Sequence, residues 1–142
     1  MKTFCHRLLP GSDLKGALDA LFVENDWTAA TVLSGIGSLC DAPIRFAGEE
    51  APEVVPGPLE ILSLGGTLSR DGSHLHLSVS DQRGKVTGGH LKEGAIVRTT
   101  VELVIAILPE WRFARIPDPE TGSMELKVSR VAGEEAERGN SV

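Results

Sequence analysis

Hydrophobic positions recur with a period of two through most of this chain and with the helical period only once. Over residues 74–79, His74, His76 and Ser78 share one face of an extended strand, while Leu75, Leu77 and Val79 share the other. One face belongs to a core, and the other is free to carry chemistry. The preceding run, Leu59 to Ser69, reads as a long strand with Glu60, Leu62, Leu64, Gly66 and Leu68 on one face and Ile61, Ser63, Gly65 and Thr67 on the other. Between the two, Arg70-Asp71-Gly72-Ser73 holds the Asp-Gly pair that a tight hairpin turn with positive φ favours. The helical exception lies near the start. Ser12 or Asp13 supplies an N-cap, and Leu14, Ala17, Leu18, Leu21 and Phe22 form one apolar stripe that stops near Asn25-Asp26.

The other segments extend the same pattern. Residues 2–9 read as a first strand closed by Pro10-Gly11, and Trp27 to Leu39 as a strand kinked at Gly35 and Gly37. Ser34-Gly35-Ile36-Gly37-Ser38 is no phosphate loop, because the third glycine of the dinucleotide pattern and a following helix are both missing. Ile44-Arg45-Phe46 reads as a separate short strand, and Ala47 to Pro58 as an acidic, proline-rich loop. Lys85 to His90 is a shorter strand. Ala95 to Leu108 is a long one, buried on both faces over its second half, with Arg98, Thr100 and Glu102 on one face. Trp111–Arg115 and Ser123–Val128 bracket a turn and form a last hairpin. Residues 131–142 carry too little apolar surface to fold and are expected to be a disordered tail behind a domain spanning 1–130.

These elements predict an α+β domain, one main amphipathic helix packed on a largely antiparallel, hairpin-rich sheet. The strand connections are too short for the helical crossovers of a parallel sheet. A length of 142 residues allows one core without staples, and the absence of Tyr makes that core aliphatic. The net charge of −6, with no run of Lys or Arg, leaves unaided DNA binding without its usual electrostatic term. Cys5 and Cys40 lack metal-ligand spacing, and no stretch of 18 apolar residues occurs, so a reduced, cytoplasmic protein without a membrane segment is expected.

Several motifs together resemble a known family. Arg7-Leu8-Leu9-Pro10-Gly11-Ser12-Asp13-Leu14, Ser34 to Leu39, Gly57 to Leu68, Asp71-Gly72-Ser73-His74-Leu75-His76, Gly88-Gly89-His90-Leu91 and Asp118-Pro119-Glu120-Thr121-Gly122 are similar, in order and spacing, to the plants-and-prokaryotes-conserved (PPC) domain from about residue 4 to residue 128. The chain has no Arg-Gly-Arg-Pro hook of the kind that gives plant members their DNA contact, and so resembles the stand-alone prokaryotic type. The resemblance implies an α+β fold, a homotrimer, and a metal, usually zinc, at His74, His76 and His90.

The residues carry the same suggestion. Neutral imidazole is a common zinc ligand, and three protein ligands with an open position describe a site able to do chemistry. Sequence leaves iron, nickel, cobalt and manganese open beside zinc. Three readings stand: a trimeric module binding a divalent metal through the three histidines, with its small-molecule ligand unknown; a metal-dependent hydrolase or lyase on the same histidines; and a regulatory, DNA-associated oligomerisation module. For the enzyme reading, Glu60 or Glu102 is the candidate general base, and each is as readily the partner of Arg45 or Arg98 at a subunit interface.

Overall fold

The computed structural model describes residues 2–131. Among them are β1 (Lys2–Leu8), α1 (Leu14–Glu24), β2 (Ala30–Arg45), β3 (Glu53–Leu68), β4 (His74–Ser80), β5 (Val86–Leu91), β6 (Val97–Ile107), β7 (Trp111–Pro117) and β8 (Met124–Arg130). Every strand pairing is antiparallel. Six strands form a sheet in the order β1-β6-β2-β3-β4-β5, and β7 and β8 form a separate hairpin. The sheet curls far enough for β5 to pair with the end of β2 as well as with β4, Ile44 opposite Leu91 and Arg45 opposite His90. The expected α+β architecture is the one observed. Of the expected tail, only Val131 is described, its N–H donating to the Glu110 carbonyl at 2.9 Å; the remainder lies outside the described residues.

The helix forms where its stripe and cap require. The Asp13 carboxylate accepts from the Gly16 N–H (3.0 Å) at the helix start and from the Gly94 N–H (2.6 Å), tying α1 to the turn that leads into β6. Leu14, Leu18, Leu21 and Phe22 are buried against the sheet. Asp19 reaches from the same helix to accept the Ser73 N–H (2.8 Å), so α1 also fixes the first residues of β4.

Four sequence expectations need correction. First, β2 does not stop at Leu39; it runs through Pro43 to Arg45. Pro43 sits where β2 passes from one neighbour to another, its last pair with β6 being Leu39–Val97 and its first with β5 Ile44–Leu91, so the missing N–H falls at a changeover in the ladder. Second, the second half of the expected loop from Ala47 to Pro58 is strand, because β3 begins at Glu53 and Glu53 to Pro56 pair with Ile44 to Asp41. Third, the two faces expected for residues 59–69 exchange part-way. Ile61 pairs with Val79 and Ser63 with Ser78, so Leu62 is the extra residue of a bulge. Ile61 is buried and Leu62 is half exposed, while Leu64 and Leu68 are buried beyond the bulge. The second half of β6 is also less enclosed than expected, since Val104 and Ile107 are only partly buried.

Candidate metal centre

β4 behaves as its alternation requires. Leu75, Leu77 and Val79 are buried in the core, while His74 and His76 stand on the opposite face. The turn before β4 is held by the Ser69 hydroxyl donating to the Gly72 carbonyl (2.8 Å), with Gly72 at φ +108°. In β5, Gly88 and Gly89 let the strand close on both neighbours. A Cβ on Gly88 would meet the Leu77 carbonyl oxygen at 2.7 Å, and one on Gly89 would meet Ile44 Cγ2 at 2.8 Å and the Arg45 carbonyl at 2.9 Å. Only glycines let β5 lie this close to β4 and β2, and that approach puts His90 directly opposite His76.

The three rings therefore converge. Centroid separations are 4.9 Å for His74–His76, 4.8 Å for His74–His90 and 5.5 Å for His76–His90. Nε2 of His74 and Nε2 of His76 lie 3.1 Å apart, and one ligating nitrogen from each of the three residues falls within 4.8 Å of the others. Two nitrogen lone pairs at that distance need either a shared proton or a shared cation. Zn–N bonds of about 2.0–2.1 Å at tetrahedral angles set nitrogens about 3.4 Å apart, so the closest pair fits and the widest closes by ring rotation of about 1.5 Å. His90 Nδ1 is buried without a hydrogen-bond partner, an uncompensated desolvation that a ligand from outside the chain can relieve. The donor set and its spacing fit a divalent metal.

Electrostatics agree with that fit. Burial first, then the imidazole of His74, Lys92 and Arg45, hold His90 down to about 4. His74 is also lowered, by burial first and then by Arg115 and His76, against the opposing influence of Glu125. Both rings are neutral at pH 7, the state a metal requires. In the metal-free chain the unfolded His90 takes up a proton near pH 6.5 that the folded one excludes until about 4. Its contribution is therefore fully present above pH 6.5 and is lost as pH falls from 6.5 to about 4. The urea midpoint of metal-free protein should drop across that window, and His90→Gln should flatten the drop; parallel curves for the two proteins would contradict it.

Two clefts, of about 310 and 440 Å³, adjoin the histidines. Both are walled by the β7–β8 hairpin through Arg115 and Glu125. Arg115 is held at both ends: its N–H donates to Asp71 Oδ2 (2.9 Å) and its Nη2 to the Thr67 hydroxyl (2.8 Å). Thr67 lies directly across from His74, and Arg45 directly across from His90. Arg45, Asp71, Arg115 and Glu125 are thus site residues that the sequence reading did not assign. The first depends on the β2–β5 pairing and the last two on where the hairpin folds back, neither of which is written in local periodicity.

Glu60 and Glu102 are not brought to this centre. They line a different cleft with Ile36, Leu62 and Thr100. Glu60 pairs with Ser80, five residues along β3 from the Gly65 that faces His76, about 16 Å by strand rise. Neither carboxylate makes an ion pair with Arg45 or Arg98 among the described residues.

Residues 1–109 match the family model of the Plants and Prokaryotes Conserved (PCC) domain, abbreviated PPC above. The chain belongs to the PPC domain family. Among solved structures it is similar to a hypothetical protein of Salmonella cholerae-suis, at 43% identity and a TM-score of 0.88, covering 91% of this chain and 94% of that one. It is also similar to a metal-containing protein of Archaeoglobus fulgidus, at 32% identity and a TM-score of 0.75, covering 88% and 92%. A curated relative, the bifunctional protein GlmU of a Synechococcus strain, is 46% identical over 134 residues, which are 94% of this PPC chain and 21% of the relative. The PPC chain thus spans about a fifth of that relative's length. Both cysteines of this PPC protein are free and exposed, and among the described residues no helix is long and apolar enough to cross a membrane.

Proposed function

We propose that this PPC domain binds one divalent transition-metal ion, zinc in the first place, through His74, His76 and His90, leaving at least one coordination position facing the adjoining clefts. The observation that carries this reading is the convergence of three imidazoles from two neighbouring strands, with two Nε2 atoms 3.1 Å apart and a buried, unpartnered His90 Nδ1. The metal-containing relative from Archaeoglobus fulgidus supports it. A metal held there supplies Lewis acidity and lowers the pKa of bound water. Titration calorimetry of chelator-treated protein with zinc should give one ion per chain; no binding at micromolar zinc would overturn the reading.

The same proposal includes a homotrimer. Its support is an apolar strip on the sheet face, where Ile36 and Leu62 are 51% and 52% exposed beside Glu60 and Glu102. Burying that strip between copies removes it from water and gives the two carboxylates a place at a subunit boundary. Light scattering should return three times the 15.1 kDa of the chain, and Leu62→Glu should lower that mass. A monomer mass for the parent protein would remove the trimer.

A hydrolytic reading on the same histidines has one observation in its favour. Glu125, rather than Glu60 or Glu102, lines both clefts and lies near enough to His74 to oppose the lowering of its proton affinity. It is the carboxylate placed to exchange a proton with a water in the cleft. Loss of any ester or phosphoester hydrolysis on Glu125→Gln, with metal retained, is the result that reading requires.

A further inference from the structure

We propose that Arg45 and Arg115 form an anion subsite beside the three histidines, and that the group they receive is the carboxylate of a small molecule. The inference rests on the metal reading above for the ligand's second contact, but the guanidinium pair stands on its own geometry.

Both arginines are only partly exposed, and both line the cleft of about 310 Å³ with His74 and His90. Each is set one pairing step from a histidine. Arg45 is directly across from His90, and Arg115 bonds the hydroxyl of Thr67, which is directly across from His74. Directly opposed residues in an antiparallel pair share a face of the sheet, so both groups lie on the histidine side. Neither is neutralised. Arg45 donates to the backbone carbonyl of Glu49 at 3.1 Å, Arg115 to a hydroxyl at 2.8 Å, and among the described residues no carboxylate pairs with either guanidinium.

Guanidiniums partly shielded from water gain by pairing with an anion. Here two of them flank a place where three neutral imidazoles can hold a third, divalent one. Asp71 and Glu125 line the cleft with the two guanidiniums, but among the described residues no ion pair joins them, so guanidinium donors stay free. An anion seated between the guanidiniums and the histidines takes up those donors. Arginine's planar fork matches carboxylate and phosphate alike. Asp71 and Glu125 decide between them, because both line the same cleft and repel a dianionic phosphate more than a carboxylate.

Arg115 gives the inference a structural consequence. It lies on β7, beyond residues 1–109 that match the family model, and it reaches the cleft because its N–H is tied to Asp71 at the tip of the β3–β4 turn. The β7–β8 hairpin is then the part of the chain that sets which ligand is held over the histidines. Ser73, which lines the same cleft and whose hydroxyl is buried without a partner, adds a hydrogen-bonding group there.

The test is a titration of the zinc-loaded full chain with succinate, inorganic phosphate and succinamide, followed by calorimetry and by backbone amide shifts at 45, 74, 90 and 115. Metal content is measured in parallel. Succinate should bind, succinamide should not, and Arg115→Gln and Arg45→Gln should each lower succinate affinity about tenfold or more while retaining the metal. Arg115→Lys should restore part of the loss, and Arg7→Gln, an exposed residue that lines a different cleft, should alter nothing. Unchanged affinity in both arginine variants, or no succinate binding by the parent protein, overturns the subsite. Tighter binding of phosphate than of succinate overturns its assignment to carboxylates. If the parent protein takes up no metal, the metal reading fails by itself, and the same titration on the metal-free chain still decides whether the arginine pair binds an anion.

Discussion

His76→Ala is expected to yield a folded chain whose zinc affinity falls by more than the ten- to hundredfold that loss of an outer-sphere partner brings. His76 is exposed and projects from the face of β4 opposite the buried Leu75 and Leu77, so its truncation removes no core contact. Metal-free stability should change by no more than about 0.5 kcal/mol. What the substitution removes is the ring whose Nε2 approaches that of His74 at 3.1 Å and which faces His90 across the strand pair. Zinc added at a hundred times its dissociation constant stabilises the parent protein by about 2.7 kcal/mol, and that increment should largely disappear in the variant at the same zinc concentration. Thermal unfolding with and without zinc measures both numbers. An undiminished zinc increment in His76→Ala would contradict the site.

Leu75→Ala, one residue away, should do the reverse. Leu75 is fully buried, between the two histidine positions in sequence but on the other side of the sheet. Truncating a buried leucine removes its transfer free energy and leaves a cavity the surroundings only partly fill, at a cost of about 2–5 kcal/mol. Leu75 belongs to the same core cluster as Leu64, Leu77 and Ile44, so the strands that carry His74, His76 and Arg45 lose packing together. Urea denaturation of the metal-free variant should show that loss. A change under about 1 kcal/mol would mean that this face of β4 is not core, and the division of β4 into a packed and a chemical face would fail with it.

That division was readable in the sequence, because it needs only the two-residue period of a strand. The Asp71-Gly72 turn was readable for a similar reason, since positive φ at Gly72 is a local demand. The glycines beside His90 also carried their meaning, as close approach by β5 is impossible with a Cβ at either position. Three other features depend on partners distant in the chain. The continuity of β2 through Pro43, read from sequence as two separate strands, depends on which neighbour β2 has at that point, and the changeover from β6 to β5 is a property of the whole sheet. The bulge at Leu62 inverted the faces expected for the residues before it, and no local composition marks a bulge there. Arg45 and Arg115 were invisible as site residues because one arrives through the curl of the sheet and the other through a hairpin returning from some 40 residues further along the chain. Glu60 and Glu102 were the carboxylates that alternation brought to notice, whereas the ones at the histidines, Asp71 and Glu125, lie in a turn and in the last hairpin.

The most direct test of the central claim is X-ray absorption at the zinc edge on protein loaded with one equivalent of zinc. Coordination by His74, His76 and His90 predicts three imidazole nitrogens at about 2.0–2.1 Å, with the multiple-scattering pattern of the rings and at least one further light-atom ligand. The imidazole pattern should weaken in His90→Ala. A first shell of oxygens without imidazole scattering, or a spectrum identical in the parent protein and in His90→Ala, would contradict it.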